Sequence, residues 1–325
     1  MKHKIIMVML SVALIVGLAL TGCVEPVAEK TEVMLYTGGT AGTYFPLGSK
    51  YAEMLNKYSD IIDASAVTSG ASVTNVKGIE KGESQAGLIQ NDVSYYARKG
   101  IVMFDASVPQ LQGLATLYPE TCQAVVRAES DIYTLADLEG KNVAVGAPGS
   151  GCAVGCEQVF EAAGVWDTIK RYDLAIGEGC SALKLGQVDA VFVVGATPTA
   201  GIEEIAVTTP VRLVLIPDEI VDKLHAEGYS FYVRQVIPKG TYKMTESVAT
   251  CAVMAMLCVH KDLPDDVVYD MTKVLFEHLD ELRTAHVRAA DITLDAALDG
   301  MSLILHPGAI KYYEEKGILV PAELK

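Results

Sequence analysis

The chain has 325 residues, of which 50% are hydrophobic and 7% aromatic, and its formal net charge is −15. Such an acidic surface repels nucleic acid and anionic lipid headgroups, which excludes functions that depend on binding either by charge. The length suffices for a large core or for two domains. Short apolar stretches alternate with segments of helical periodicity, a pattern that predicts an α/β protein.

The N-terminus has the pattern of an export signal. Lys2 and Lys4 precede an apolar run of sixteen residues, 5–20, which leads into Thr21-Gly22-Cys23. A run below about 18 residues is short for a membrane-spanning helix, although an uncleaved anchor would leave the protein on the same side of the membrane. We predict a lipoprotein signal peptide at residues 1–22, a lipid on Cys23 and a linker at residues 23–31. Without residues 1–22 the formal charge is −17, because two lysines and no acid are removed.

Three consecutive strand–turn–helix units occupy the first part of the chain. In the first unit, a strand at Val33–Tyr36 leads through the glycine-rich turn at residues 38–42 into a helix predicted over Tyr44–Tyr58. The second and third units begin with strands at Ile62–Val67 and Ala86–Ile89. Strands joined in this way form a parallel sheet, and their turns lie along one edge of it.

The pattern changes between Leu111 and Arg127, where two apolar stretches flank Tyr118-Pro119-Glu120 with no helix between them. We interpret this segment as a crossover into a second domain, and the extended stretch near Phe231–Ile237 as the return. The predicted domain 1 therefore comprises residues 32–126 and 230–325, and the inserted domain 2 comprises residues 127–229. Two domains joined by two extended strands predict a cleft between them.

Each predicted domain carries one glycine-rich turn between a strand and a helix, at residues 38–44 and 146–151. Such a turn exposes backbone N–H groups at the positive end of the helix dipole, an arrangement that suits an anion such as a carboxylate. A turn that only reverses the chain has the same composition, so the presence of one in each domain is what favours a binding site. Neither turn has the sequence of a P-loop or of a dinucleotide-binding motif.

Six cysteines follow Cys23, and an exported location favours disulfides among them. Cys152 and Cys156 lie four apart in a predicted helix, where β-carbons are about 5–6 Å apart, too far for a disulfide. We therefore predict that Cys180 pairs with one of them. We predict no metal site and no cofactor. We also predict no catalytic residue, and a thiol hydrolase that uses Cys152 is an alternative.

Seven stretches can be compared with known families: Thr37–Gly48, Val125–Ala128, Leu138–Lys141, Gly146–Gly151, Gly186–Ala190, Phe231–Val233 and Leu305–Ala309. Taken together, they resemble the TAXI class of solute-binding proteins, the receptors of tripartite ATP-independent periplasmic (TRAP) transporters, and the resemblance extends from residue 32 almost to the end of the chain. It implies the two-domain type II periplasmic-binding-protein fold. It also implies a small carboxylate ligand, such as glutamate or 2-oxoglutarate, and a TRAP transporter membrane subunit as partner.

The resemblance also implies which residues bind the ligand. Those of domain 1 are Gly39, Thr40, Gly42, Tyr44, Ser69, Ala71, Gln90 and Asp92. Those of domain 2 are Gly149, Ser150, Gly151, Cys152, Thr197 and Pro198, and Tyr118 and Tyr232 lie near the crossovers. Cys152 departs from the family pattern, where a small polar residue is expected, and a thiol is a weaker donor than a hydroxyl. The alternative to a transport receptor is a ligand-sensing protein that presents the same cleft to a signalling partner.

Overall fold

A computed structural model describes residues 30–325, and residues 31–325 form one compact unit. The predicted signal peptide, Cys23 and most of the predicted linker lie outside the described residues. Within residues 30–325, no helix combines the length and the apolar character needed to cross a membrane.

All strands of the described part belong to one mixed sheet of ten strands. In chain order they are β1 (Thr31–Tyr36), β2 (Ile62–Val67), β3 (Ala86–Gln90), β4 (Leu111–Arg127), β5 (Asn142–Ala144), β6 (Lys170–Tyr172), β7 (Ala190–Gly195), β8 (Val211–Val214), β9 (Val233–Ile237) and β10 (Val248–His260). The strand order is β2-β1-β3-β10-β4-β7-β5-β6, with β8 paired to β4 and β9 to β10. The first three strands are parallel, as predicted from the three strand–turn–helix units.

Helices cover both halves of the sheet. They are α1 (Tyr44–Tyr58), α2 (Ser72–Glu80), α3 (Asn91–Lys99), α4 (Gly151–Ala163), α5 (Ile176–Lys184), α6 (Ala200–Ala206), α7 (Asp218–Ala226), α8 (Asp265–Glu277), α9 (Leu279–Leu282) and α10 (Pro307–Glu315), with short 3₁₀ segments at Leu135–Leu138, Thr241–Lys243, Val287–Asp291 and Ala322–Leu324. Helix α1 buries Leu47, Tyr51 and Leu55 on one face, because side chains three to four positions apart share a side of a helix.

The long strand β4 differs from the sequence-based interpretation, which placed an interruption at Tyr118-Pro119-Glu120. Seventeen residues run without a break and pair with β10 in antiparallel orientation. Proline cannot donate to a strand ladder, and it is tolerated at a bulge. Pro119 lies opposite Met254, where the register of the pair shifts before Met256. The irregularity therefore accommodates the proline without ending the strand.

Two lobes share this sheet, and strands β4 and β10 run through both. The core of the first lobe takes most of its residues from positions 33–118 and 255–324. The second lobe has a core on each face of its part of the sheet, since alternate residues of a strand point to opposite faces. Phe192 and Val194 of β7 belong to one of these cores, and Val191 and Val193 to the other. The exact domain boundaries stay a prediction.

All six cysteines of the described part are buried free thiols, so the predicted pairing of Cys180 with Cys152 or Cys156 is wrong. Helix α4 carries Cys152 and Cys156 against the sheet face that includes Phe192. Helix α5 carries Cys180 against the opposite face, which includes Val191. The sheet thus lies between the thiols that were expected to pair.

Candidate functional site

A cavity of about 300 Å³ lies where the two lobes meet, and four helices begin at its wall. Helices α1 and α2 come from the first lobe, and α4 and α5 come from the second. The first amides of a helix have no partner within the helix, and they lie at the positive end of its dipole. The lining residues are Gly38, Gly39, Thr40, Ala41, Gly42, Thr43, Tyr44, Ser69, Gly70, Ala71, Ser72, Gln90, Glu120, Ala147, Ser150, Gly151, Cys152, Ala175, Ile176, Gly177, Glu178, Val194, Gly195 and Thr199.

On the first lobe, the buried side chain of Asn75 fixes the turns that form the wall. Its Nδ2 donates to the carbonyl oxygens of Thr37 and Leu88, each at 2.7 Å, and so ties the end of β1 to β3. Its Oδ1 accepts from the Ser69 hydroxyl at 2.5 Å, and that hydroxyl oxygen accepts from the Ala71 amide at 3.0 Å. One amide side chain therefore positions the ends of two strands and the start of α2.

On the second lobe, side chains cap the two helices that face the cavity. Ser150 Oγ accepts from the amide of Ala153 at 3.1 Å, as an N-cap residue does. Glu178 Oε2 accepts from the amide of Ala175 at 3.1 Å in the first turn of α5. These caps hold the starts of α4 and α5 in place at the cavity wall.

The two lobes touch at the edge of the cavity. The carbonyl oxygen of Gly149 accepts from the amides of Val73 and Thr74 in α2, both at 3.2 Å. The amide of Gly201 in α6 donates to the carbonyl oxygen of Ala41 at 3.1 Å. Because these bonds join the two lobes, the described conformation is a closed one.

A carboxyl group lies in the cavity wall. Glu120 of β4 is only 3% exposed, and its Oε2 accepts from the hydroxyl of Tyr44 at 2.7 Å. Burial raises the pKa of Glu120 to about 8; hydrogen bonds from Tyr44 and Gln90 oppose this, and the neighbouring Asp92 carboxyl adds to it. Burial likewise raises the pKa of Asp92 to about 7.

We expect the unliganded protein to lose stability as the pH rises from about 6 to about 8. The pKa values of Asp92 and Glu120, about 7 and 8, lie above their ordinary values of 3.8 and 4.5. The folded state therefore binds more protons than the unfolded state, so stability that is fully present below about pH 4 is lost as the pH rises through these folded pKa values. Urea unfolding at pH 6, 7 and 8 measures this slope.

The Asp92→Asn variant provides the control, because it removes one of the two titrating groups and keeps a side chain of similar shape. It should flatten the slope between pH 6 and 8. His286 and His306, whose pKa values are lowered by burial, contribute to the slope with the opposite sign. An Asp92→Asn variant whose stability depends on pH as steeply as that of the parent would contradict the prediction.

Ten of the sixteen predicted ligand-binding residues line the cavity: Gly39, Thr40, Gly42, Tyr44, Ser69, Ala71, Gln90, Ser150, Gly151 and Cys152. The structure thus brings the two glycine-rich turns to one space. The Cys152 thiol donates to the carbonyl oxygen of Phe192 at 3.2 Å, and burial raises its pKa to about 12. A thiol in that state is protonated at neutral pH and is a poor nucleophile.

The other six predicted residues lie outside the cavity lining. Asp92 and Tyr118 are fully buried behind it, and Gly149 is used in the contact between lobes. The buried hydroxyl of Tyr232 donates to Gln158 at 2.9 Å. The carbonyl oxygens of Thr197 and Pro198 accept hydrogen bonds from Arg288 and His286, respectively.

The structure also adds lining residues that the sequence-based interpretation did not select. The start of α5, at residues 175–178, follows strand β6 in another strand–turn–helix unit, and that order was the available signal. Glu120 was also missed. Its sequence signal was a carboxyl group within a largely apolar strand, because acidic side chains are rarely buried unless they are paired.

Solved structures share this architecture at low sequence identity. The periplasmic aliphatic sulphonate binding protein SsuA of Escherichia coli is 14% identical, with 91% of this chain and 88% of that chain covered and a TM-score of 0.50. The Xanthomonas citri protein XAC2383, in a structure bound to ATP, is 11% identical, with 88% and 99% covered and a TM-score of 0.52. The predicted fold class, a two-lobed α/β periplasmic-binding-protein fold, is confirmed. The model of the NMT1-like family matches residues 35–317, and the chain therefore belongs to the NMT1-like family.

Proposed function

We propose that this protein is an extracytoplasmic solute-binding receptor that captures a small carboxylate, glutamate-like or 2-oxoglutarate-like, between its lobes. The observation that carries the proposal is the cavity at the starts of helices α1, α2, α4 and α5, which combines amide donors from both lobes. A second feature points to a bound ligand. The Thr43 hydroxyl at the start of α1 lines the cavity, is buried, and has no hydrogen-bond partner among the described residues.

Recognition of an anion here depends on short contacts. None of the described residues that line the cavity is Lys, Arg or His. The whole chain carries a formal charge of −15, so its long-range field repels an anion. A micromolar dissociation constant corresponds to about −8 kcal/mol, which hydrogen bonds from desolvated amides must then supply. The affinity should accordingly depend little on salt.

Capture by closure of the lobes fits the contacts at the cavity edge. Gly149 bonds to α2 and Gly201 bonds to Ala41, and each of these bonds exists only when the lobes are together. A ligand held by helix starts of both lobes stabilises that same state. The E. coli protein of this fold is named for binding aliphatic sulphonates, which are also small organic anions.

The transport partner follows from the sequence resemblance. As a TAXI-class receptor, the protein would deliver its ligand to the membrane subunit of a TRAP transporter. A sensing role with a signalling partner is the alternative, and a gene for a TRAP membrane subunit beside this one would favour transport. A thiol hydrolase is disfavoured, because the Cys152 thiol is buried and its pKa is raised.

A thermal-shift screen of carboxylates tests the function. Residues 24–325, which contain the whole compact unit, would be heated with mono- and dicarboxylates and with uncharged analogues of the same size. A ligand present at 100 times its dissociation constant stabilises the folded state by about 2.7 kcal/mol, which gives a shift of several degrees. At least one carboxylate should give this shift and its uncharged analogue should not. A screen in which no carboxylate raises the melting temperature would refute the function.

We also propose that Cys23 carries the lipid anchor, on the outer face of the cell membrane or in the periplasm. Cys23→Ser should release the protein from the membrane fraction or leave residues 1–22 attached, because the hydroxyl of serine does not replace a thiol as the acceptor of the lipid. Fractionation followed by intact-mass analysis measures both results. An unmodified Cys23 on membrane-bound protein would contradict the prediction.

A further inference from the structure

The wall of the cavity contains two kinds of polar group. The helix starts offer N–H donors, and the side chains of Glu120 and Gln90 offer acceptors. Both residues are 3% exposed. The Oε1 atom of Gln90 is buried and has no hydrogen-bond partner among the described residues. A buried acceptor without a donor costs free energy unless a ligand supplies the donor.

Two groups beside Glu120 can donate hydrogen bonds to its ionised form. The Tyr44 hydroxyl and the Gln90 side-chain amide both donate to its carboxyl. Three other titratable groups interact electrostatically with this carboxyl: Asp92 of α3, Tyr118 of the same strand and Cys152 of α4. None of them is a cation. The ionised form of Glu120 would therefore have two hydrogen-bond donors and no counter-charge among these groups.

We propose that Glu120 and Gln90 Oε1 form a subsite for a ligand ammonium group, so that the receptor selects an α-amino acid over the corresponding 2-oxo acid. This inference rests on the proposed function, since the same ligand places its carboxylate at the helix starts. An ammonium group has three donors and a full positive charge. It would therefore supply both the hydrogen-bond donor that Gln90 Oε1 lacks and the counter-charge that ionised Glu120 lacks. The keto oxygen of a 2-oxo acid is only an acceptor, so it cannot donate to Gln90 Oε1 and can bond to Glu120 only while that carboxyl is protonated.

The class of ligand determines whether protons are released or taken up on binding. With a pKa of about 8, Glu120 in the empty cavity is mostly protonated at pH 7, because burial disfavours its charge. An ammonium group beside it lowers that pKa and drives the proton off. Binding of an amino acid at pH 7 should therefore release close to one proton, and affinity should rise between pH 6 and pH 8. A ligand that accepts a hydrogen bond from protonated Glu120 would instead take up protons above pH 8.

The experiment is calorimetric titration of residues 24–325 with matched pairs of amino acid and 2-oxo acid, such as L-glutamate and 2-oxoglutarate, in buffers of different ionisation enthalpy. The buffer dependence gives the number of protons exchanged. The amino acid is expected to bind at least tenfold more tightly than its 2-oxo partner and to release a proton at pH 7. Glu120→Gln should abolish the proton release and weaken amino-acid binding at least 30-fold, with little effect on the oxo acid.

Glu157→Gln is the matched comparison, because it makes the same change at an exposed glutamate of α4 that lines a different groove. This variant should retain the proton release and the affinity of the parent. Tighter binding of the oxo acid, proton uptake, or unchanged proton release in a folded Glu120→Gln variant would overturn the ammonium subsite and leave the receptor function standing. If no amino acid and no other carboxylate binds, both proposals fail.

Discussion

Gly151→Val should weaken carboxylate binding at least 30-fold, equivalent to about 2 kcal/mol. Gly151 is the first residue of α4 and lines the cavity. A β-carbon at this position would lie 2.1 Å from Oε1 of Gln90 and 2.4 Å from its Cδ, so the Gln90 side chain would have to move. The added methyl groups would also occupy the space in which a carboxylate approaches the helix start. Calorimetry on the parent and the variant measures the change.

Ala153→Val is the control for this prediction. It places the same β-branched side chain in the first turn of the same helix, at a residue that lines a different groove with Val154 and Glu157. Any cost to the helix itself should be similar in both variants, while only Gly151→Val should lose binding. A Gly151→Val protein that binds as tightly as the parent would show that the ligand does not lie against the start of α4.

Asn75→Ala should lower the free energy of unfolding by about 3 kcal/mol, among the larger effects of a single substitution. The substitution removes the Asn75 donor from the carbonyl oxygens of Thr37 and Leu88. It also removes one of the two acceptors within reach of the Ser69 hydroxyl, the other being the carbonyl oxygen of Thr37 at 3.1 Å. Thr37, Asn75 and Leu88 are each at most 3% exposed, so water does not readily replace the lost hydrogen bonds. The turns that form the first-lobe wall are held by this side chain, so ligand affinity should fall as well. Urea unfolding followed by circular dichroism measures the stability.

Asn56→Ala is the matched control, because Asn56 also bonds to backbone groups in a neighbouring strand. Its Nδ2 donates to the carbonyl oxygen of Ala64 at 2.8 Å and its Oδ1 accepts from the amide of Ala64 at 2.7 Å. Asn56 is exposed, so water replaces both partners and the cost should be about 1 kcal/mol or less. If Asn75→Ala were no more destabilising than Asn56→Ala, the bridging role assigned to Asn75 would be wrong.

The features of the cavity that could be predicted from sequence were local ones. A strand followed by glycine and a helix places its turn at the sheet edge, so the turns at residues 38–44 and 146–151 were identifiable from their own residues. The connection between β6 and α5, at residues 173–175, contains no glycine, and glycine was the feature that marked the other two turns. The start of α5 was therefore missed at the cavity.

The features that could not be predicted depend on distant pairings. The environment of Glu120 requires Tyr44, 76 positions earlier, and the alignment of β4 with β10. The turn at Thr197 and Pro198 resembles the other turns in sequence. The carbonyl oxygen of Thr197 bonds to Arg288, almost a hundred positions later, and only the flanking Gly195 and Thr199 of this turn line the cavity. The pattern of residues within one segment does not indicate which distant residues that segment will contact.

A crystal structure of residues 24–325 with the carboxylate that gives the largest thermal shift tests the central claim most directly. The carboxylate should lie in the cavity within hydrogen-bond distance of first-turn amides of both lobes, those of α1 or α2 and those of α4 or α5. Among the described residues, a groove lined by Arg98 and Lys99, together with Asp299 and Glu323, offers a second candidate site apart from the four helix starts. A ligand bound in that groove, with the cavity between the lobes empty, would contradict the account.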